Sequence, residues 1–187
     1  PKFKCVEIAK NVRFVHRHND MTPTFVLHAY IKGGVSFENE LNNGIYNLIS
    51  KNMTYGHSKA KYDELKQYLE THAAYLNGFS GKNAYGLTLH GLSKDFTDLS
   101  SHFMQTLKKP SFPAQYFKLE KELLNRSHHL QKEDPIKHCC KHFTKQIFNN
   151  HPYAMNLIGT EKSLPKLSRK LMVETHQKMI DSSELVI

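Results

Sequence analysis

The sequence of 187 residues contains no tryptophan and little cysteine, glycine or proline, with three, nine and seven residues respectively. Three cysteines, of which Cys139 and Cys140 are adjacent, exclude the disulfide framework of a small stapled domain, so we expect reduced thiols. Because 39% of the residues are hydrophobic and glycine and proline are few, a disordered or collagen-like chain is also excluded. The composition allows one sizeable core.

Long hydrophobic runs are also missing. The longest apolar stretch, Phe25 to Ile31, is interrupted by His28 and is too short to span a bilayer. No basic segment followed by an apolar one opens the chain, so we expect it to be soluble, with no membrane partner. The first residue is Pro rather than Met, which favours a piece of a longer protein and leaves the compartment open.

Charge is plentiful and unbalanced. Twenty-six Lys and Arg against 17 Asp and Glu give a net charge of +9, and 13 His can add to it in acid. No run of five or more basic residues occurs, which favours a solvated basic surface over a nucleic-acid site. A basic module that binds nucleic acid or an acidic peptide remains an alternative hypothesis.

Hydrophobic periodicity predicts strands at residues 12–17, 24–31, 75–79 and 84–92, with another beginning at 185–187. The turn His18-Asn19-Asp20 predicts that the first two strands pair antiparallel. Helices are predicted after caps at Asn43, Ser58 and Asp95 and after the pairs Asp134-Pro135 and Leu167-Ser168. Blocks of strands alternating with blocks of helices indicate an α+β fold, with an antiparallel or mixed sheet packed on one face by helices.

The two faces of the predicted sheet differ in composition. Phe25, Leu27, Leu87 and Leu89 form the larger apolar set, which is the better candidate for the core. The alternate set mixes small, aromatic and imidazole side chains, as expected of a face left free of helices. It comprises Val26, His28, Tyr30, Ala84, Gly86, Thr88 and His90.

One short segment has the donors for a metal site. His138 and His142 lie four residues apart in a predicted helix, beside Cys139 and Cys140. Zinc favours nitrogen and sulfur ligands but requires three or four that converge. The thiols also fit that helix's apolar stripe, where free cysteine is ordinarily buried. A shifted zinc site here is therefore kept as an alternative.

Other clusters point to ordinary structure. His128-His129 and His16-Arg17-His18 are expected on the surface, because neighbours in sequence do not converge on one ion. Gly78-Phe79-Ser80-Gly81 precedes no helix, so it is interpreted as a turn between strands rather than a phosphate loop. No G-x-S-x-G nucleophile elbow occurs.

A series of short motifs is more informative. Gly33-Gly34 ends the second predicted strand, Glu38 follows, Gly44-Ile45 opens a predicted helix and Gly56 closes it. The series continues with Tyr62-Asp63-Glu64-Leu65, Pro110-Ser111-Phe112, Asp134-Pro135, His151-Pro152-Tyr153 and Gly159-Thr160. In this order and spacing it resembles the insulinase/pitrilysin family of zinc metallopeptidases over nearly the whole chain. That family carries an inverted motif, H-x-x-E-H.

The resemblance also shows where this sequence departs from the family. With Gly44-Ile45 aligned to the start of the family's motif helix, the two histidines fall on Asn47 and Lys51 and the glutamate on Ser50. The family's third zinc ligand, a glutamate, falls on or next to Ser127. Zinc catalysis of this kind requires imidazole ligands and a carboxylate base, and these residues supply neither. No H-x-x-E-H occurs elsewhere in the chain.

The resemblance therefore implies a degenerate, non-catalytic domain with no catalytic residue, metal or cofactor of its own. Residues 1–187 would form a single insulinase-like domain that ends inside its last strand. In the family, such domains pack against sister domains and a catalytic half that holds zinc, and together they enclose a chamber for peptide substrates. We expect these partners here, and the sequence leaves open whether the catalytic half lies on the same chain.

Overall fold

The computed structural model describes residues 3–187, without the side chain of Lys132. The described residues form a mixed six-stranded sheet in the order β1-β2-β6-β3-β5-β4, six α-helices and four short 3-10 turns. The strands are β1 Lys4–Ala9, β2 Val12–His16, β3 Thr24–Lys32, β4 Tyr75–Ser80, β5 Ala84–Leu92 and β6 Leu185–Val186. The helices are α1 Ile45–Met53, α2 Tyr62–Thr71, α3 Phe96–Lys108, α4 Ala114–Glu133, α5 Pro135–Phe148 and α6 Arg169–Ser182.

The predicted α+β class is confirmed, but the predicted pairing of the first two strands is wrong. β2 pairs with β1, a strand that the sequence did not predict, and β6 lies between β2 and β3. β6 runs parallel to β2 and antiparallel to β3, with Val186 facing Arg13 on one side and Tyr30 on the other. Because β6 comes from the far end of the chain, nothing in the sequence near β2 and β3 indicates that it lies between them. Every residue of β1 is exposed, so it also lacks a pattern of burial.

The core lies between the sheet and the helices, on the face that the larger apolar set predicted. Leu87 and Leu89 are 0% and 1% exposed, and Phe25 and Leu27 pack against the same cluster. Helices α1 and α3 contribute the largest share of the opposing side chains, among them Phe103. Burial of the alternating residues therefore confirms which sheet face the helices cover.

Two cap predictions had different outcomes. Asp134 caps α5 as predicted, because its Oδ1 accepts hydrogen bonds from the backbone N–H groups of Ile136 and Lys137 at 3.0 and 3.1 Å. Ser58 does not cap α2, which begins three residues later than predicted. There the backbone N–H of Lys61 bonds to the Glu64 carboxylate at 2.9 Å.

Gly78 lies inside β4 rather than in the predicted turn. A Cβ atom at this position would lie 1.7 Å from the carbonyl oxygen of Ser50 on α1. The glycine is therefore required by close packing of the helix on the strand, and the turn is confined to residues 81–83. The sequence showed the glycine but not the helix that requires it.

Helix α5 corrects the expectation of buried cysteines. No described residue of α5 is buried, and Cys139 and Cys140 are both exposed. The apolar stripe of this helix faces outward, with Ile136, Phe143 and Ile147 at 76%, 65% and 58% exposure. Periodicity identifies an apolar stripe but does not say whether another element covers it. Within the described part of the chain, no helix is long and apolar enough to cross a membrane.

Candidate functional site

Helix α1, which carries the aligned motif positions, is held at its N-terminus by a buried carboxylate. Glu38 is 6% exposed and accepts hydrogen bonds from the backbone N–H groups of Gly44 at 2.9 Å and Tyr46 at 3.1 Å. It also accepts from the side-chain amide of Asn43 at 2.7 Å. Burial raises the pKa of Glu38, and these three hydrogen bonds counteract that effect. A carboxylate at a helix N-terminus also interacts favourably with the helix dipole.

Asn43, the predicted cap of α1, has a different role. The N-cap is Gly44, whose φ of 94° lies in the left-handed region. Because glycine has no side chain, the N-cap residue itself makes no side-chain bond to the helix. The Asn43 amide instead donates to Glu38 and to the carbonyl of Asn156, at 2.7 and 2.8 Å. Asn43 therefore links the start of α1 to a distant loop, which spacing alone could not show.

The three aligned positions on α1 lie in different environments. Ser50 is 1% exposed, and its hydroxyl donates to the carbonyl of Asn47 at 2.9 Å. Asn47 is half-buried, and its amide oxygen has no hydrogen-bond partner. Lys51 is exposed. An amide, a hydroxyl and an ammonium group do not fit a zinc ion, which binds imidazole, thiolate and carboxylate.

Helix α4 supplies the fourth aligned position. Ser127 is exposed, whereas the next residue, His128, is 4% exposed. The surface position predicted for His128 is therefore wrong, because α4 turns this imidazole inward.

Two turns earlier on α4, Glu120 is 8% exposed and accepts a hydrogen bond from the Tyr55 hydroxyl at 2.5 Å. Burial and this carboxylate raise the pKa of Tyr55. Tyr55 also stacks on Tyr116, with ring centroids 4.1 Å apart. The sequence analysis did not single out this contact, which ties the end of α1 to α4.

The described residues contain no group of three or more His, Cys, Asp or Glu side chains placed to hold a metal ion. On α5 the rings of His138 and His142 do approach each other, with centroids 4.5 Å apart. They give two ligands where a zinc site needs at least three. The aligned motif positions lie on α1, whereas this imidazole pair lies on α5.

A second imidazole pair, which the sequence analysis missed, joins the loop after α1 to α3. His57 Nδ1 accepts from the backbone N–H of Lys59 at 3.2 Å, so its Nε2 carries the proton and donates to His102 Nδ1 at 3.0 Å. Burial lowers the pKa of both imidazoles, and His102 further lowers that of His57. The geometry suits a neutral structural link.

The face of the sheet opposite the helices carries the predicted mixed set of side chains. We call the part of this surface on β3, β4 and β5 the outer face. Val26 and Tyr30 are 49% and 44% exposed, and His28 and His90 are also exposed. Gly86 is the exception: it is buried, and a Cβ there would lie 3.2 Å from the Phe79 ring. The outer face comprises Thr24, Val26, His28, Tyr30, Lys32, Tyr75, Asn77, Phe79, Ala84, Gly86, Thr88, His90 and Leu92.

Cross-strand contacts order the outer face. His28 Nδ1 lies 2.9 Å from the Thr88 hydroxyl, and the His28 and His90 ring centroids are 6.5 Å apart. Burial and the nearby His90 lower the pKa of His28. Tyr30 packs on Phe79 with centroids 5.0 Å apart. At one end, a groove of about 490 Å³ is lined by residues that include Thr24, Val26, Tyr75, Asn77 and His90.

Comparison with protein families gives a match to one of them. The model of the insulinase family (Peptidase family M16) matches residues 13–161. These residues include α1, the aligned positions on α1 and α4, and the whole outer face.

One curated relative is the non-peptidase homolog YmxG of Helicobacter pylori (strain ATCC 700392 / 26695), which is 24% identical over 178 residues. The match covers 94% of this chain and 41% of the relative. The chain thus spans less than half the length of that relative.

Solved structures share the fold. A crystal structure of a peptidase M16 inactive domain from Pseudomonas fluorescens has a TM-score of 0.89 at 20% identity, covering 100% of this chain and 45% of that one. A structure of a protease from Helicobacter pylori has a TM-score of 0.89 at 14% identity, with the same coverage of both chains.

Proposed function

This chain belongs to the insulinase family, peptidase family M16, and from its outer face we propose that it is a wall of a peptide-holding chamber. The family match and its relatives support an inactive M16-like domain. We propose that this domain packs against a sister domain and a catalytic half, and that the catalytic half holds the zinc.

The observation that carries the proposal is the composition of the outer face. Its side chains are small, aromatic or imidazole, and His28, Tyr30 and His90 are exposed. Aromatic and imidazole rings present apolar area together with polar atoms, so they accept many peptide sequences without demanding one. A face that is wet yet carries little charge suits transient contact with unfolded peptide.

The framework around α1 supports the same proposal. Glu38, Asn43 and Gly78 hold the motif helix in place although Asn47, Ser50 and Lys51 do not fit a metal. A domain that acts through its surfaces needs this helix packing but does not need metal-binding side chains. We infer that Asn47, Ser50 and Lys51 on α1, and Ser127 at the aligned position on α4, have no catalytic role in this chain.

The experiment uses the full-length parent protein, with peptide turnover and assembly as readouts. His28 and His90 are replaced together by tryptophan, and in a second variant by aspartate. We expect a changed preference among peptide substrates with assembly and folding intact. The matched control replaces the exposed pair His138 and His142 on α5 in the same way. Unchanged turnover, preference and assembly in the outer-face variants would overturn the chamber-wall assignment.

The two alternative functions have less support. A shifted zinc site at His138 and His142 lacks a third ligand among the described residues. Nucleic-acid binding would require clustered basic residues, and the Lys and Arg of this chain are dispersed. Steep salt dependence of binding to a random DNA duplex would revive the nucleic-acid hypothesis, because phosphate contacts release counterions.

A further inference from the structure

We propose that His28 and His90 form a subsite on the outer face that binds a carboxylate of a peptide, and that binding strengthens as the pH falls. The proposal rests on the proposed function, since it names which peptides the wall prefers. The occupant is an extended peptide segment bearing Asp or Glu side chains.

The geometry of the pair suits one carboxylate. The two rings are 6.5 Å apart and nearly perpendicular, with an interplanar angle of 84°. The Thr88 hydroxyl, 2.9 Å from Nδ1 of His28, orients that ring and leaves its Nε2 for a ligand. Because a charge-assisted N–H···O bond spans about 2.8 Å, a carboxylate seated above the pair can accept one bond from each imidazole.

The surroundings of the pair contain no competing anion. The titratable neighbours are tyrosines: Tyr30, whose ring lies 5.7 Å from that of His28, and Tyr75, which faces His90 across β4 and β5. Among the described residues of β3, β4 and β5 that make up the outer face, none is acidic, and the charged one is the exposed Lys32. The Glu184 carboxylate, next to β6, already lies 3.6 Å from the ammonium group of Lys32 and 3.9 Å from the guanidinium group of Arg13.

The charge of the pair explains the preference for acid. Burial lowers the pKa of His28, and the neighbouring His90 lowers it further because a second positive charge nearby is unfavourable. A bound carboxylate removes this repulsion and favours the protonated rings, so binding takes up protons. Glutamate side chains keep their charge down to a pH of about 4.3, which leaves a window between that value and the usual histidine range.

Aromatic side chains complete the subsite. The Tyr30 ring lies beside His28 and packs on Phe79, and Tyr75 flanks His90 at the groove. They can pack on the aliphatic part of an acidic side chain or on the peptide backbone. The subsite would therefore bind carboxylates attached to a chain better than free inorganic anions.

The experiment measures binding of a fluorescein-labelled, glutamate-rich peptide and of its glutamine counterpart to the chain. Anisotropy gives the affinity, and NMR signals of the outer-face residues give the location. We expect the acidic peptide to bind about tenfold more tightly at about pH 5.5 than at about pH 7.5. The glutamine peptide should show almost no pH dependence.

Two double variants separate the subsite from the general positive charge. His28→Gln with His90→Gln should abolish the gain in acid, whereas His138→Gln with His142→Gln removes equally many exposed imidazoles from α5 and should keep it. Circular dichroism checks that both variants fold. Equal gains for both peptides, or a gain that survives in the outer-face variant, would overturn the proposal.

The NMR signals distinguish this proposal from the function on which it rests. If the glutamine peptide perturbs the outer face as much as the acidic peptide at both pH values, the acidic preference is overturned and the chamber wall stands. If neither peptide perturbs the outer face at either pH, both proposals are overturned.

Discussion

Helices α1 and α5 differ in what they offer a metal ion: α1 has a packed framework, and α5 has a pair of imidazoles. In α1 the framework is intact: Glu38 accepts hydrogen bonds from the backbone N–H groups at the start of the helix, and Gly78 lets the helix pack directly on β4. The residues at its motif positions do not fit a metal. Helix α5 has the reverse character, with two imidazoles 4.5 Å apart on a helix that has no buried residue among those described. The difference teaches that a packed framework and a set of metal donors can occur on separate helices of one fold.

The largest expected effect breaks the framework of α1. Glu38→Ala leaves two backbone N–H groups and the Asn43 amide without their acceptor in a buried site. Because each unsatisfied buried donor costs free energy, we expect a loss of about 4 kcal/mol in the free energy of unfolding. Urea denaturation measures it. Glu40→Ala, at an exposed position two residues away, is the control and should change stability by less than about 0.5 kcal/mol.

A second prediction tests the contact between α1 and β4. In Gly78→Ala the new Cβ would meet the Ser50 carbonyl oxygen at 1.7 Å, so the helix must move away from the strand. We expect destabilisation of about 3 kcal/mol from overpacking, measured by thermal or urea unfolding. Gly81→Ala provides the matched glycine, since the nearest atom there is at an ordinary 3.5 Å. Similar losses in both variants would contradict the close packing inferred here.

A third prediction contrasts a buried imidazole with the exposed pair on α5. His176 is 2% exposed, and its Nε2 donates to the Leu107 carbonyl at 2.9 Å while the Tyr85 hydroxyl lies 3.2 Å from Nδ1. Burial lowers the pKa of His176 to about 4, below its value of 6.5 when unfolded. The neutral form is therefore favoured in the folded state. Its contribution to stability is complete above pH 6.5 and is lost as the pH falls towards 4.

At a pH of about 5 this loss amounts to about 2 kcal/mol. Urea denaturation at a series of pH values should show it for the wild type and for His138→Gln, and much less of it for His176→Gln. An unchanged pH dependence in the His176 variant would assign the acid sensitivity to other groups.

The smallest effect is expected on α5. Phe143 is 65% exposed, so Phe143→Gln should change the free energy of unfolding by less than about 0.5 kcal/mol. Phe103, which is 0% exposed on α3, is the core counterpart, and Phe103→Ala should cost about 4 kcal/mol. Differential scanning calorimetry of the two variants checks the contrast. A large loss at Phe143 would mean that the stripe on α5 is covered in solution.

Local chemistry explains which features the sequence predicted. Alternation along β3 and β5 identified both sheet faces, because burial acts on every second residue of a strand. Asp134 was recognised as a cap because its bonds reach only two or three residues ahead. The aligned positions Asn47, Ser50, Lys51 and Ser127 were named from the family resemblance, and their assignment stays a prediction.

Long-range contacts explain what the sequence did not predict. β6 enters the sheet between β2 and β3 from the far end of the chain, and His57 meets His102 across 45 residues. Glu38 was visible as a residue after a strand, but its function depends on how the chain folds back on α1. The apolar stripe of α5 was visible too, and only the fold shows that no described element covers it.

The framework of α1 is intact although the described residues form no metal site, and elemental analysis tests this account most directly. The chain is purified, dialysed against buffer containing micromolar zinc and then against metal-free buffer, and its zinc content is measured per chain. We predict a content far below one zinc per chain, unchanged in His138→Gln and His142→Gln. A content near one zinc per chain that disappears in either variant would contradict the account and place a metal site on α5.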